Sequence, residues 1–562
     1  MSFKVNRYTT TLKIAGGFSI SYVLTWLLIF VFVDTSAFKN WLSPIHYFYE
    51  TPNAFYYVPA GCIFTLILIT VIITSYVPDD YGDAREANDS EMSEMGCLSD
   101  TGVILGQTDQ IFPKFIRSKE PLSTFLIAPP GTGKTAAIII PNLLSCTNSM
   151  FINDVKCELW DLTSAARSKM GRVGLFAPTL NLGKEDSLCF NPFAAECLPR
   201  NFGDQVDFVD QLISIIYPTG ENVGETTRYF NGNAKNLFMF WAMLGILKNG
   251  ETSLPRIYDD ATETGDQQAA IASILENSGK LPEFLEKKGY ALLNMDSREF
   301  KSTATSFTQM LEPFNRPNIR KYFEACDFSY RDFREAKTFS LYCCVPPKDM
   351  ARMRPILKLM AQYLTLELLS DVKLYKKKTV TFVLDEFARL GKVEELLDAP
   401  ELSRGCNMNF IFACQSVNQI RKIYNSNGSD AMQGLIDVCD YTLIYTQNDQ
   451  KAAEYLSQTI GKTTKKKKSS SNKFGEITGT SNVSLEGIPF ITDQDLLNMG
   501  KDRMIVAVKG FKKRPIMGKK PWYYKDKNMS KLVGAYKGMR LGGDEELFEE
   551  SNDPEYYQAE IA

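Results

Sequence analysis

The pattern of apolar positions changes texture along the chain. Near the start, Ile14 to Val33 and Phe55 to Val77 are almost unbroken apolar runs, each long enough to cross a bilayer as a helix. From Phe125 onward the runs are short, and three of them lead into polar tips, at Asp154, at Asp385-Glu386 and at Gln415. The runs are Phe125 to Ile127, Ser149 to Asp154, Val173 to Phe176, Thr338 to Val345, Val380 to Leu384, Asn409 to Cys414, Tyr441 to Tyr445 and Met504 to Val508. Runs of this length and composition predict strands, and the helical stretches among them predict an α/β fold. Between about Gln205 and Asp327 the apolar residues recur at helical spacing instead: Val206, Val209, Leu212, Ile213 and Ile216, then Leu237, Phe240, Trp241, Leu244 and Leu247. This predicts an all-α domain over residues 205–327, inserted between two parts of the α/β domain at 81–204 and 328–540. Either a packed helical lid or a surface for partner or nucleic-acid contacts fits that stretch.

Charge orients the two apolar runs. Lys4, Arg7 and Lys13 precede the first without an acid, whereas the loop Asp34 to Ala54 holds one Lys and two acids. The positive-inside rule then puts both termini in the cytoplasm and makes residues 1–80 a transmembrane hairpin with a short outer loop. The second run, and the lack of a clear small-residue cleavage site, argue against a secretory leader. The net charge of −3 hides an asymmetry: Leu541 to Ala562 carries eight acids and no Lys or Arg. That stretch, 541–562, reads as an acidic tail on a mildly basic body. Lys501 to Lys527 holds ten basic residues against two acids, among Phe511, Trp522, Tyr523 and Tyr524. It reads as a basic surface, with single-stranded DNA as the sharper alternative. The run Lys465 to Lys468, followed by serines, predicts a solvated loop.

The chemistry available is narrow. Twelve cysteines are scattered without a C-x-x-C pair, as expected of free thiols in a reducing compartment. The single histidine, His46, lies in the outer loop, which excludes Ser-His and His-metal mechanisms from the soluble body. Carboxylates, Lys, Arg and an oxygen-held metal ion remain. Ala128-Pro129-Pro130-Gly131-Thr132-Gly133-Lys134-Thr135 follows a strand and opens a helix, the context of a P-loop. Gly131, Thr132 and Gly133 would turn backbone N–H groups onto phosphates, Lys134 would meet the β- and γ-phosphates, and the Thr135 hydroxyl would sit on Mg²⁺. Ala128 stands where the motif has glycine. Val380 to Leu384 ends in Asp385-Glu386, the Walker B pattern. Asp385 would hold Mg²⁺ through water, and Glu386 would orient and polarise the attacking water. Gln415, ending the next strand, would sense the γ-phosphate.

Taken together, these residues resemble one family. The two N-terminal spans, the P-loop with Ala-Pro-Pro ahead of it, Asp154-x-Lys156-x-Glu158, Phe190-Asn191-Pro192, Leu384-Asp385-Glu386-Phe387 and Cys414-Gln415-Ser416 resemble the type IV coupling proteins. These are the TraG/TraD-type ATPases of bacterial conjugation and type IV secretion. Tyr81 to Arg85 is similar to the family's segment after its second span, and Cys157 stands where the family usually has glycine. The resemblance implies a RecA-like P-loop NTPase domain interrupted by an all-α domain, and a hexameric ring at the bacterial inner membrane. It implies ATP and Mg²⁺ as cofactors, with the site shared between subunits and Arg404 supplied by the neighbour as an arginine finger. The cargo it implies is single-stranded DNA with its relaxase and accessory proteins, or protein effectors, passed to type IV secretion channel components. A receptor for effectors, a nucleotide-gated scaffold without motor action and a chromosome-segregation translocase are the alternatives.

Overall fold

The computed structural model describes residues 80–538 and the backbone of 541–542, apart from 181–186, 218–224, 278, 280, 376, 416, 425–430 and 472–479. The two apolar runs and the acidic residues of the tail lie outside the described residues. Among the described residues no helix is long and apolar enough to cross a membrane.

Each short apolar run is a strand because it is covered on both faces. In chain order the strands are β1 Val103–Thr108, β2 Phe115–Ser118, β3 Thr124–Ile127, β4 Ser149–Asp154, β5 Arg172–Phe176, β6 Phe339–Cys344, β7 Val380–Leu384, β8 Met408–Cys414 and β9 Tyr441–Ile444. They continue with β10 Lys462–Ser471, β11 Thr480–Pro489, β12 Arg503–Val508, β13 Ile516–Lys519 and β14 Leu541–Gly542. Every residue of β3, β4, β6, β7, β8 and β9 is buried. Burial on both faces is why these strands read as continuous rather than alternating. Among the described residues twelve strands make one mixed sheet, in the order β14-β5-β6-β4-β7-β8-β3-β9-β12-β13-β1-β2. From β5 to β9 neighbouring strands are parallel, and from β9 to β2 they are antiparallel.

The crossover between β5 and β6 carries the helical stretch. It contains helices Phe202–Ile216, Glu225–Asn249, Leu254–Thr262, Gln267–Asn277, Glu283–Leu293 and Ser297–Leu311. Val209, Leu212, Ile213, Leu237, Phe240, Trp241 and Leu244, picked out by their spacing, are all buried. Phe208 also meets Tyr363 of helix Met350–Ser370 edge-to-face, with ring centroids 6.1 Å apart. One apolar core therefore runs from these helices to the sheet.

The lysine run is not a loop. Lys462–Ser471 is strand β10, paired with β11 in a two-stranded ribbon. Residues 80–83 and Lys462–Ile488 group as one compact unit, while Ala84–Gly461 and the chain from Pro489 group as another. In the smaller unit Tyr81 N–H donates to Thr464 Oγ1 at 3.1 Å, and Thr464 N–H donates to Gly82 O at 3.0 Å. Gly82 has φ +149°, and a Cβ there would lie 2.3 Å from the Lys462 carbonyl oxygen, so the close approach of backbones requires glycine. Lys465 and Lys467 are exposed while Thr464 is buried. The strand comes from backbone pairing of a polar sequence with low strand propensity, which a reading of side chains misses.

Candidate functional site

Parallel strands deliver their C-terminal ends to one edge of the sheet, and four neighbours, β4, β7, β8 and β3, build the site there. The register places Ile127 of β3 beside Cys414 of β8, Leu384 of β7 beside Phe412 of β8, and Asn153 of β4 beside Leu384. Four different segments thus bring Lys134, Asp385 with Glu386, Gln415, and Asp154 to the same rim.

The glycine loop leaves β3 at Ala128, which is fully buried and donates its N–H to Cys414 O at 3.1 Å. A methyl group is accommodated where the motif has glycine. Gly131 and Gly133 have φ of +76° and +88°, the left-handed region that L side chains avoid. The helix that follows begins with one π turn, Thr135–Ile139, before the α-helix Ile140–Ser145. Ile140 N–H donates to Thr135 O instead of Ala136 O. Pro141 has no N–H to offer, so the Ala136 carbonyl is released by its own helix. Farther along, the Asn142 amide bonds both backbone groups of Ile104, N–H at 2.7 Å and C=O at 2.9 Å, and bolts the helix to β1.

At the rim, Lys134 Nζ lies 2.6 Å from Asp385 Oδ1 and 3.8 Å from Glu386 Oε1. All three side chains are buried, with 6%, 1% and 6% exposure. Neither Lys134 Nζ nor Asp385 Oδ1 makes a hydrogen bond of good angle, so both keep bonding capacity for a ligand. Glu386 accepts from the Gln415 amide on one oxygen and from Arg389 Nε–H on the other. Its backbone is left-handed, with φ 57° and ψ 51°. A non-glycine residue held there costs roughly 1–3 kcal/mol, and such strain collects at functional sites. Asn153 Nδ2–H donates to Asp385 O at 3.2 Å and steadies the turn. Thr135, 8% exposed, follows Lys134 directly.

The chemistry of these donors fits one kind of ligand. Inward N–H groups and an ammonium hold an anion. A threonine hydroxyl and a carboxylate are hard oxygen ligands for a small divalent ion. Among the described residues no group of three or more His, Cys, Asp or Glu gathers that could hold a metal ion by itself.

Asp154 ends β4, and the next helix starts at Leu159. Its carboxylate instead receives the N–H groups of Glu158, Leu159 and Trp160 at 3.2, 2.8 and 3.2 Å, closing the helix N-terminus. Burial pushes the Asp154 carboxyl up to about 6 despite those donors. The turn between needs a left-handed residue, and Cys157 supplies it with φ 57°. Glycine would sit there without penalty, so the departure to cysteine carries a backbone cost that nothing in the structure explains. Asp154→Ala should cost about 2 kcal/mol, at the upper end for a helix cap. A thermal melt with an unchanged midpoint would remove Asp154 from this role.

Arg404 does not join the cluster in its own chain. It lies in a short 3₁₀ turn, Arg404–Cys406, exposed and paired with Glu120 at 3.0 Å. Reading the sequence also missed Arg389, Lys520 and Trp522. Arg389 was legible in principle, three residues after Glu386 on one turn. Lys520 and Trp522 reach the glycine loop from the far end of the chain, and no local signal announces them.

Comparison with known proteins adds an independent line. The family model for type IV secretory system conjugative DNA transfer matches residues 85–541. VirD4 of Rhizobium radiobacter is 27% identical over 521 residues, covering 88% of this chain and 72% of that protein. Plasmid coupling protein TrwB in complex with the non-hydrolysable ATP analogue ADPNP superposes with a TM-score of 0.57 at 16% identity, over 82% of this chain and 96% of that one. TrwB in complex with ADP and Mg²⁺ gives 0.55 at 16% identity, over 78% and 93%. At this identity the likeness is one of fold.

Proposed function

This chain belongs to the type IV secretory system conjugative DNA-transfer family, and from that premise we propose that it hydrolyses ATP to pass conjugative DNA, with its attached protein, into a type IV secretion channel. The observation that carries the reading is the convergence of Lys134, Asp385, Glu386 and Gln415 on the rim beside the glycine loop. The complexes of TrwB with ADPNP and with ADP and Mg²⁺ support ATP and Mg²⁺ as the ligands.

The residues divide the work of phosphoryl transfer, which is mostly positioning and electrostatic stabilisation. Gly131, Thr132 and Gly133 present N–H groups to the phosphates. Lys134 leaves Asp385 for the β- and γ-phosphate oxygens. Thr135 and, through water, Asp385 would hold Mg²⁺, which would neutralise charge on the phosphates. Glu386 holds the attacking water, and Gln415, already bonded to Glu386, links the state of the phosphate to β8. Arg389 restrains the Glu386 carboxylate from the solvent side. Arg404 is exposed, as a residue acting on a neighbouring subunit's phosphate must be; an arginine finger contributes roughly 10³ to 10⁵ in rate. The assembly is a homo-oligomeric ring, a hexamer, anchored in the inner membrane by the two N-terminal apolar runs, with both termini cytoplasmic. The segments 205–327 and 541–562 are the insertion domain and an interaction tail.

Steady-state phosphate release by the full-length protein, with and without single-stranded DNA and across protein concentrations, tests this. Turnover per subunit should rise with concentration, because the site is shared, and rise again with DNA in a salt-sensitive manner. Nucleotide binding without turnover at any concentration would leave a gated scaffold. Turnover indifferent to DNA but raised by a secreted protein would leave the effector receptor. Sequence-directed movement along duplex DNA would leave a chromosome translocase.

A further inference from the structure

The glycine loop is clasped from outside by the segment that follows β13. Lys520, 3% exposed, donates from Nζ to Thr132 O at 2.9 Å and lies 3.9 Å from the centre of the Tyr445 ring. Trp522, 6% exposed, closes against Gly133: a Cβ there would lie 2.1 Å from Trp522 Cη2. The Trp522 ring is itself fixed by Nε1–H donating to Asp502 Oδ1 at 2.7 Å. Tyr523 N–H then donates to Ala136 O at 3.2 Å, taking up the carbonyl that the π turn released. Three parts of the loop and its helix are thus held by three residues of one strap.

The Lys520 contact has a directional consequence. In a trans peptide the C=O and the following N–H point opposite ways. Pinning the Thr132 carbonyl outward turns the Gly133 N–H inward, where a phosphate would be bound. Burying an ammonium is costly, and burial pulls Lys520 down to about 8, with Asp502 opposing the shift and Lys501 adding to it. An apolar side chain could fill the space at less cost, so packing alone does not account for a lysine there.

We propose that Lys520 is a positioning residue for nucleotide binding: its ammonium, with the Trp522 ring behind Gly133, holds the Thr132–Gly133 peptide with its N–H facing the phosphate. The proposal rests on the nucleotide reading above. It sets the affinity of the site without touching the reacting atoms.

Equilibrium binding of ADP–Mg²⁺ and steady-state ATP hydrolysis by the full-length protein separate this role from a structural one. Lys520→Met, which keeps the length and loses the donor, should weaken ADP binding and raise KM for ATP about tenfold or more, with kcat at saturation within about threefold of wild type. Lys520→Arg, which keeps a charged donor, should recover most of the binding. Wild-type affinity in Lys520→Met, or a fall in kcat at unchanged KM, overturns the assignment. Wild-type protein that binds no nucleotide sinks the reading beneath it, whereas tight binding in both proteins sinks the clasp alone. Amide exchange in the unmodified chain gives a second measure should Lys520→Met not fold. ADP–Mg²⁺ should slow exchange across 519–524 together with 129–135, and unchanged exchange across 519–524 refutes the proposal.

Discussion

Replacing Lys134 with alanine lowers ATP turnover to less than about a hundredth of wild type, the scale expected when a charged contact to the transferring phosphoryl group is lost. The effect is large because the ammonium is buried and is the cation that faces Asp385. It faces Asp385 at 2.6 Å and Glu386 at 3.8 Å, so without it two buried carboxylates confront each other. The phosphates of an incoming nucleotide would meet acids with no lysine between. Lys134 contributes to no part of the apolar core, so far-UV circular dichroism and the sheet should be preserved. Phosphate release at the wild-type rate in Lys134→Ala would show that the nucleotide is not held here.

Glu386→Gln should leave nucleotide binding close to wild type while slowing hydrolysis by about 10² to 10⁴, the span of a lost general base. Glutamine fills the same volume and can still accept one hydrogen bond, but its amide nitrogen must face either the Gln415 amide or Arg389, both of which donate to the carboxylate in the native site. Its loss of charge removes the pull on a water proton. The readout is a pair of measurements: the dissociation constant of an ATP analogue, which should hold, and kcat, which should fall. If the two change together, Glu386 is a binding residue and the water is positioned by something else.

Much of this site was legible before any coordinates, for a physical reason. A buried strand must be apolar along its length, so the polar residue at its tip stands out. Asp385 after Val380–Leu384, Gln415 after Met408–Cys414 and Asp154 at the end of β4 are visible that way. The glycine loop was legible because positive φ at Gly131 and Gly133 restricts the residues allowed. Contacts made across the fold were not. Lys520 meets Thr132 over a separation of 388 residues, and within its own neighbourhood it was one of ten basic residues in a stretch that read as ordinary surface. Strand β10 was hidden because its pairing is made by the backbone, while its side chains are lysine, threonine and serine. The helical periodicity between β5 and β6 found most of the buried faces of those helices, since it reports packing alone, but it also picked out Leu247, which is exposed.

The left-handed backbone at Glu386 sets a limit on how this protein can be improved by selection for robustness alone. Glycine at that position would relieve the backbone, and asparagine would ease it, so both should raise heat tolerance and resistance to denaturant. Either would also remove the acid. A library screened only for survival at high temperature would therefore enrich chains that persist and do nothing, and position 386 is where that enrichment should first become visible.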